Sequence, residues 1–118
     1  METANRNFRS CCQAMALNNA CLSVCNYNST LPQFRKARGA GCKRSEERKY
    51  LICASAGQDV TKCCRAYGTF YAQTYCKMLC RPSDKRWVAD YEEIIVYWPC
   101  IRFIEGILHC MHILLPAE

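Results

Sequence analysis

The residues whose types and spacing could do chemistry fall in two places. One is the stretch TKCCRAYGTFYAQTYC, Thr61 to Cys76, where the vicinal pair Cys63-Cys64 precedes a run of aromatic residues and a third cysteine. The other holds the two histidines of the chain, His109 and His112. A double cysteine inside a small helical chain is a setting where secreted phospholipases carry a general-base histidine and a calcium-binding aspartate. That hydrolysis needs the histidine beside the cysteines, the aspartate next to it and a glycine-rich calcium loop upstream. Here Arg65, Ala66 and Tyr67 follow the pair, and Asp59 precedes it at a position suited to a helix cap. The calcium loop has no counterpart, so this stretch is not that active site.

The histidines are three residues apart and could share a metal ion, but the two alone do not complete a ligand set. They fall on one polar helical stripe with Arg102 and Glu105, which reads as a solvated face. No serine lies in a G-x-S-x-G context. Oxidised cysteines leave no thiolate nucleophile. The sequence therefore points to no enzyme, no metal and no cofactor.

What the cysteines do instead follows from their number. Twelve in 118 residues is the density of a disulfide scaffold in a short chain, and the even count requires no free thiol. Structural zinc would show paired C-x2-C knuckles, which are absent. About six disulfides imply an oxidising compartment, hence a secreted protein or the extracellular part of a cell-surface protein. The opening METANRNFRS has no apolar run and reads as no signal peptide; a secreted chain would have lost that segment. The most apolar stretch, Ile94 to Leu115, is interrupted by Pro99, Arg102 and Glu105, so no membrane insertion is expected. In such a compartment the asparagine of Asn28-Ser29-Thr30 is a glycosylation acceptor.

Two surfaces stand out for binding. Net charge is +6, with a local surplus between Arg35 and Lys49: Arg35, Lys36, Arg38, Lys43, Arg44, Arg48 and Lys49 against Glu46 and Glu47. FRKARG, Phe34 to Gly39, fits an X-B-B-X-B-X arrangement of basic residues, in which clustered cations meet sulfates. Arg35, Lys36, Arg38, Lys43 and Arg44 are thus the expected anion-binding or glycan-binding set, with a heparan-sulfate-like chain as ligand. Nucleic acid would meet the same charges but is not expected outside the cell. The aromatic cluster Tyr67, Phe70 and Tyr71, followed by Tyr75, is either packing around the cysteines or the edge of a protein-binding face.

The elements that hold these residues read as short helices. FRSCCQAMALNNACLSVC is helical, with Cys21 and Cys25 four apart on one face. NYNSTLPQ reads as a turn in which Pro32 bars helix continuation, and FRKARGAGC as an irregular loop. SEERKYLICASAG is a helix capped by Ser45 and stopped by Gly57, with Glu46 and Glu47 in its first turn. DVTKCCRAYG repeats the form from Asp59 to Gly68. TFYAQTYCKMLC adds another turn or two, RPSDKRW is a turn, and YEEIIVYW reads as extended. A last helix starts at Pro99. It carries Cys100, Phe103, Ile107 and Cys110 on one stripe, and Ile101, Ile104, Leu108 and Met111 on the next.

The fold class is therefore all-α, a small disulfide-rich bundle whose helices are each too short to stand alone. Residues 1–7 read as an N-terminal tail, 8–113 as a single domain and 114–118 as a C-terminal tail. Twelve cysteines allow roughly ten thousand pairings, which sequence leaves open. One constraint is geometric: neighbours in a helix point about 100° apart, so Cys63 and Cys64, and likewise Cys11 and Cys12, should bridge to different elements.

The order of the cysteines resembles the DB module, a twelve-cysteine extracellular domain found chiefly in nematode proteins. The matching pieces are FRSCCQAMALNNACLSVCNYN, LICASAGQDVTKCCRAYG, YCKMLC and CIRFIEGILHC. They cover Phe8 to Cys110, and Cys11, Cys12, Cys21, Cys25, Cys42, Cys53, Cys63, Cys64, Cys76, Cys80, Cys100 and Cys110 all find a place. The resemblance implies a binding or structural module with no catalytic residues to carry over. The expected function is non-enzymatic binding of an extracellular or cell-surface protein. The alternative is binding of a sulfated glycosaminoglycan or acidic matrix through 35–49.

Overall fold

A computed structural model describes residues 2–43, 46–66, 79–83 and 102–115, and every structural statement concerns these. They form six helices: α1 (Glu2–Ala14), α2 (Asn19–Leu22), α3 (Leu31–Gly39), α4 (Glu47–Ser55), α5 (Thr61–Ala66) and α6 (Ile104–Ile113). No described residue lies in a strand, as an all-α bundle requires. YEEIIVYW, Pro99 and the stretch 67–78 lie outside the described residues, as do Arg44 and Ser45.

Each helix buries one stripe. On α1, Phe8 and Cys12 are buried and Ala4 and Cys11 pack partly against the core, as does Met15 just beyond the helix, a spacing of three and four residues along one face. Residues 2–7, expected as a tail, are instead the first turns of this helix. Asn5 accounts for their order, because its Oδ1 accepts the Tyr27 backbone N–H at 2.8 Å. On α6 the apolar stripes are as expected, with Ile104, Ile107, Leu108, Cys110 and Met111 buried while Arg102, Glu105 and His109 stay exposed.

The segment expected as a turn and loop is helical. Thr30 caps α3: its side chain accepts from Gln33 N–H while the Gln33 side chain accepts from Thr30 N–H, the reciprocal capping box. Pro32 lies in the first turn, where its missing N–H leaves no bond unmade, so it starts this helix rather than ending one. Glu105 on α6 adds a carboxylate at the same terminus, accepting Leu31 N–H at 2.9 Å. α4 also starts differently. Glu46 is its N-cap but makes no capping bond, and its Oε1 instead accepts Asn18 N–H at 3.0 Å. Its end is as expected, with Ala56 left-handed (φ 53°) and Gly57 at φ 78°.

The centre is aromatic. Phe8 meets Tyr27 and Tyr50 at ring separations of 4.8 and 5.1 Å, and Phe34 meets Tyr50 edge-on at 5.3 Å. Both buried hydroxyls find backbone acceptors: Tyr27 donates to Ala54 C=O at 2.5 Å and Tyr50 to Val24 C=O at 2.7 Å. Burial pushes the Tyr27 phenol up to about 12 and raises that of Tyr50 strongly. A folded-state value above the unfolded one stabilises fully below the unfolded pKa and is lost as pH rises through the folded one. The domain should therefore hold its stability up to about pH 10 and lose it progressively toward pH 12. Tyrosinate absorbance and circular dichroism recorded together should show these two phenols ionising only as helix is lost; their ionisation in a fully helical domain would contradict the burial.

Five disulfides close the frame: Cys11–Cys53, Cys12–Cys25, Cys21–Cys42, Cys63–Cys110 and Cys64–Cys80. Each vicinal pair bridges in two directions, as the helical geometry demands. Cys21 and Cys25 do not share a helix, since α2 ends at Leu22, and they face different partners. Cys76 and Cys100 lie outside the described residues. The pairs fall into two sets. All six cysteines up to Cys53 are bonded among themselves, and the other two bridges join α5 to residue 80 and to α6. The two sets share no disulfide and meet through packing of α4 on α6, the Leu31–Glu105 bond and the Tyr27–His112 ring contact at 5.1 Å.

Candidate functional site

The chemistry-bearing residues of the sequence are used structurally. Cys63 and Cys64 are consumed by Cys110 and Cys80, so the double cysteine is a junction where α5 is tied to two elements. His112 lies half-buried against the Tyr27 ring while His109 is exposed on the next turn. Cys21, Cys42 and Glu46 come together, but the two sulfurs are bonded to each other and are not thiolate ligands. A surface depression of about 230 Å³ is lined by Gly57, Gln58, Asp59, Arg81 and Ser83. Its one carboxylate already accepts from Thr61 N–H at 2.9 Å and from the Thr61 hydroxyl. Among the described residues no helix is long and apolar enough to cross a membrane.

Charge is organised more tellingly than chemistry. Of the expected anion-binding set, Arg35, Lys36 and Lys43 are exposed and Arg44 is outside the described residues. Arg38 is different: it is half-buried and ion-paired with Glu47, a carboxylate only 5 % exposed. Arg48 is also half-buried and donates Nε–H to Pro82 C=O at 2.9 Å. The X-B-B-X-B-X row therefore offers two outward cations rather than three. The cause is helical. Phe34, Ala37 and Arg38 share the inward stripe of α3, while Arg35 and Lys36 share the outward one.

Four of the five described acids, all but Glu2, are engaged by the domain's own donors. Glu46, Glu47, Asp59 and Glu105 each accept a bond from within the domain: Asn18 N–H, Arg38, Thr61 N–H and Leu31 N–H. Cations remain outside on several helices: Arg6 and Arg9 on α1, Lys49 on α4, Lys62 and Arg65 on α5. Among the described residues, exposed cations outnumber carboxylates that accept no bond from within the domain. Sequence reasoning singled out the run from Arg35 because it is contiguous in the chain. The cations of α1 and α5 carry no such local signal. Glu47 could have been found, since Glu47, Tyr50, Leu51 and Ala54 form one helical stripe and the last three are apolar.

Two other expected sites divide. Asn28 is exposed, in the turn between α2 and α3. Tyr67, Phe70 and Tyr71 lie outside the described residues.

The model of the DB module family matches residues 5–111, nearly the whole chain. No curated protein matches, and no solved structure does.

Proposed function

The chain belongs to the DB module family of cysteine-rich extracellular domains, and on that premise we propose a non-enzymatic recognition module that binds a protein outside the cell or on its surface. The observation that supports this reading is the sorting of charge on a cross-linked frame. Carboxylates of Glu46, Glu47, Asp59 and Glu105 satisfy the protein's own donors, and cations face solvent from helices that disulfides hold in place. A rigid frame lowers the entropy lost on association. Outward arginines suit carboxylates of an acidic partner, which they engage in pairs of parallel hydrogen bonds. Such charges act mainly on encounter rate and on the choice of partner.

The test is an extracellular-interaction screen with the oxidised domain, followed by charge reversal. Arg35→Glu with Lys36→Glu should weaken a captured protein by about tenfold or more and flatten its salt dependence. Unchanged affinity would remove α3 from the contact face. The same exposed cations support a second reading, a sulfated glycosaminoglycan or acidic matrix, with Arg38 left out of the set. Heparin retention above physiological salt, lost with Arg35→Ala, Lys36→Ala and Lys43→Ala together, would select it; elution at physiological salt would count against it.

A further inference from the structure

We propose that Asn28 carries an N-linked glycan and that the glycan is attached before this part of the domain folds. The inference rests on the extracellular reading, because the transferring enzyme works in the secretory pathway. Three observations carry it. Asn28 is exposed at the turn, with its backbone N–H donating to Asn26 Oδ1 at 3.1 Å, and no described hydrogen bond engages its side-chain amide. Nothing about the folded turn therefore obstructs a sugar once it is present.

The other two residues of the acceptor triplet are not free in the folded state. Ser29 is only 4 % exposed and its hydroxyl donates to Val24 C=O at 2.9 Å. The Thr30 hydroxyl, which the transferase reads two residues after the asparagine, accepts Gln33 N–H as the cap of α3. On either side the chain is anchored. Tyr27 is buried and Cys25 is bonded to Cys12, while Cys42 beyond α3 is bonded to Cys21. Presenting Asn28 and the Thr30 hydroxyl together to an enzyme cleft would break the capping box and pull Ser29 from the core. The unfolded chain presents all three at no such cost.

The reaction forms a C–N bond between the Asn28 amide nitrogen and the anomeric carbon of a lipid-pyrophosphate-linked oligosaccharide. The glycosyl–phosphate C–O bond breaks, the lipid pyrophosphate leaves with the electron pair, and the amide loses one proton. Nothing is oxidised or reduced.

The chain, secreted from cultured animal cells behind a signal sequence, should shift in mobility by one glycan on treatment with an amidase that removes N-glycans. Asn28→Gln and Thr30→Val should abolish the shift, and Thr30→Ser should keep it. For timing, unglycosylated domain would be given to purified oligosaccharyltransferase with the lipid-linked donor. The reduced, alkylated chain should be modified, and the oxidised, folded domain at least tenfold more slowly. Equal rates would overturn the order of events. A secreted chain with its disulfides intact and Asn28 bare would overturn the site itself, leaving the extracellular reading in place; native protein recovered with free thiols would instead sink that reading.

Discussion

Cut between Gly57 and Gln58 with its disulfides intact, the protein is expected to part into two pieces in denaturant without any reductant. Residues up to Gly57 contain six of the twelve cysteines, and all six are bonded among themselves. Whatever Cys76 and Cys100 pair with, no partner remains for them on the other side. Without denaturant the pieces should stay together, because α4 packs on α6, Glu105 holds Leu31 N–H at 2.9 Å and His112 lies on Tyr27. The site is accessible, since Ala56, Gly57 and Asp59 are exposed between α4 and α5. A protease recognition sequence inserted after Gly57 makes the cut specific. A cut at Gly39 supplies the contrast: Cys11–Cys53 and Cys21–Cys42 span it, so that product should run as one species until reduced. Non-reducing gel electrophoresis decides the matter. A Gly57-cut chain that separates only with reductant would mean a bridge between the two sets. Within each set, removing one bridge should cost about 2–5 kcal/mol, as for other small disulfide domains.

Truncating Glu47 is the substitution with the largest expected effect on stability. Glu47 and Arg38 are an ion pair with side chains 5 % and 16 % exposed, and Glu47 lines a small cavity with Phe34, Leu51, Leu79 and Ile104. Removing one member leaves the other charge in a poorly solvated place, so Glu47→Ala should destabilise by about 3–5 kcal/mol. Arg38→Ala should cost a similar amount. The double replacement Arg38→Met with Glu47→Leu should recover most of the loss, because two apolar chains of similar volume need no solvent and suit that lining. Urea unfolding of the three variants measures this directly. A Glu47→Ala loss below about 1 kcal/mol would show the pair to be solvated, and Arg38 would return to the outward cations.

The pair also shows where the sequence was legible and where it was not. Arg38 belongs to a basic run and Glu47 to a helix start, and each taken alone reads as solvated charge. Their burial follows from sharing helical stripes with Phe34 and with Tyr50 and Leu51, a signal present in the sequence but outweighed by composition. α3 was obscured in a comparable way. Pro32 and two glycines suggested a loop, while the decisive signal was the Thr30–Gln33 capping box. The α6 stripes were clear because five buried apolar positions repeat at helical period with charged residues between them.

The sequence by itself determined the class of solution: a helical bundle too small for its core alone, held by many cross-links, with vicinal cysteines bridging in different directions. These follow from local chemistry, namely cysteine density, helical period and the angle between neighbours on a helix. Pairing, the division into two disulfide-bonded sets and the internal bonds that the acids accept came only from the tertiary structure. Each depends on which helix lies against which, as across the 74 residues that separate Leu31 from Glu105. Contacts between residues so far apart in sequence leave no period or spacing in a single chain.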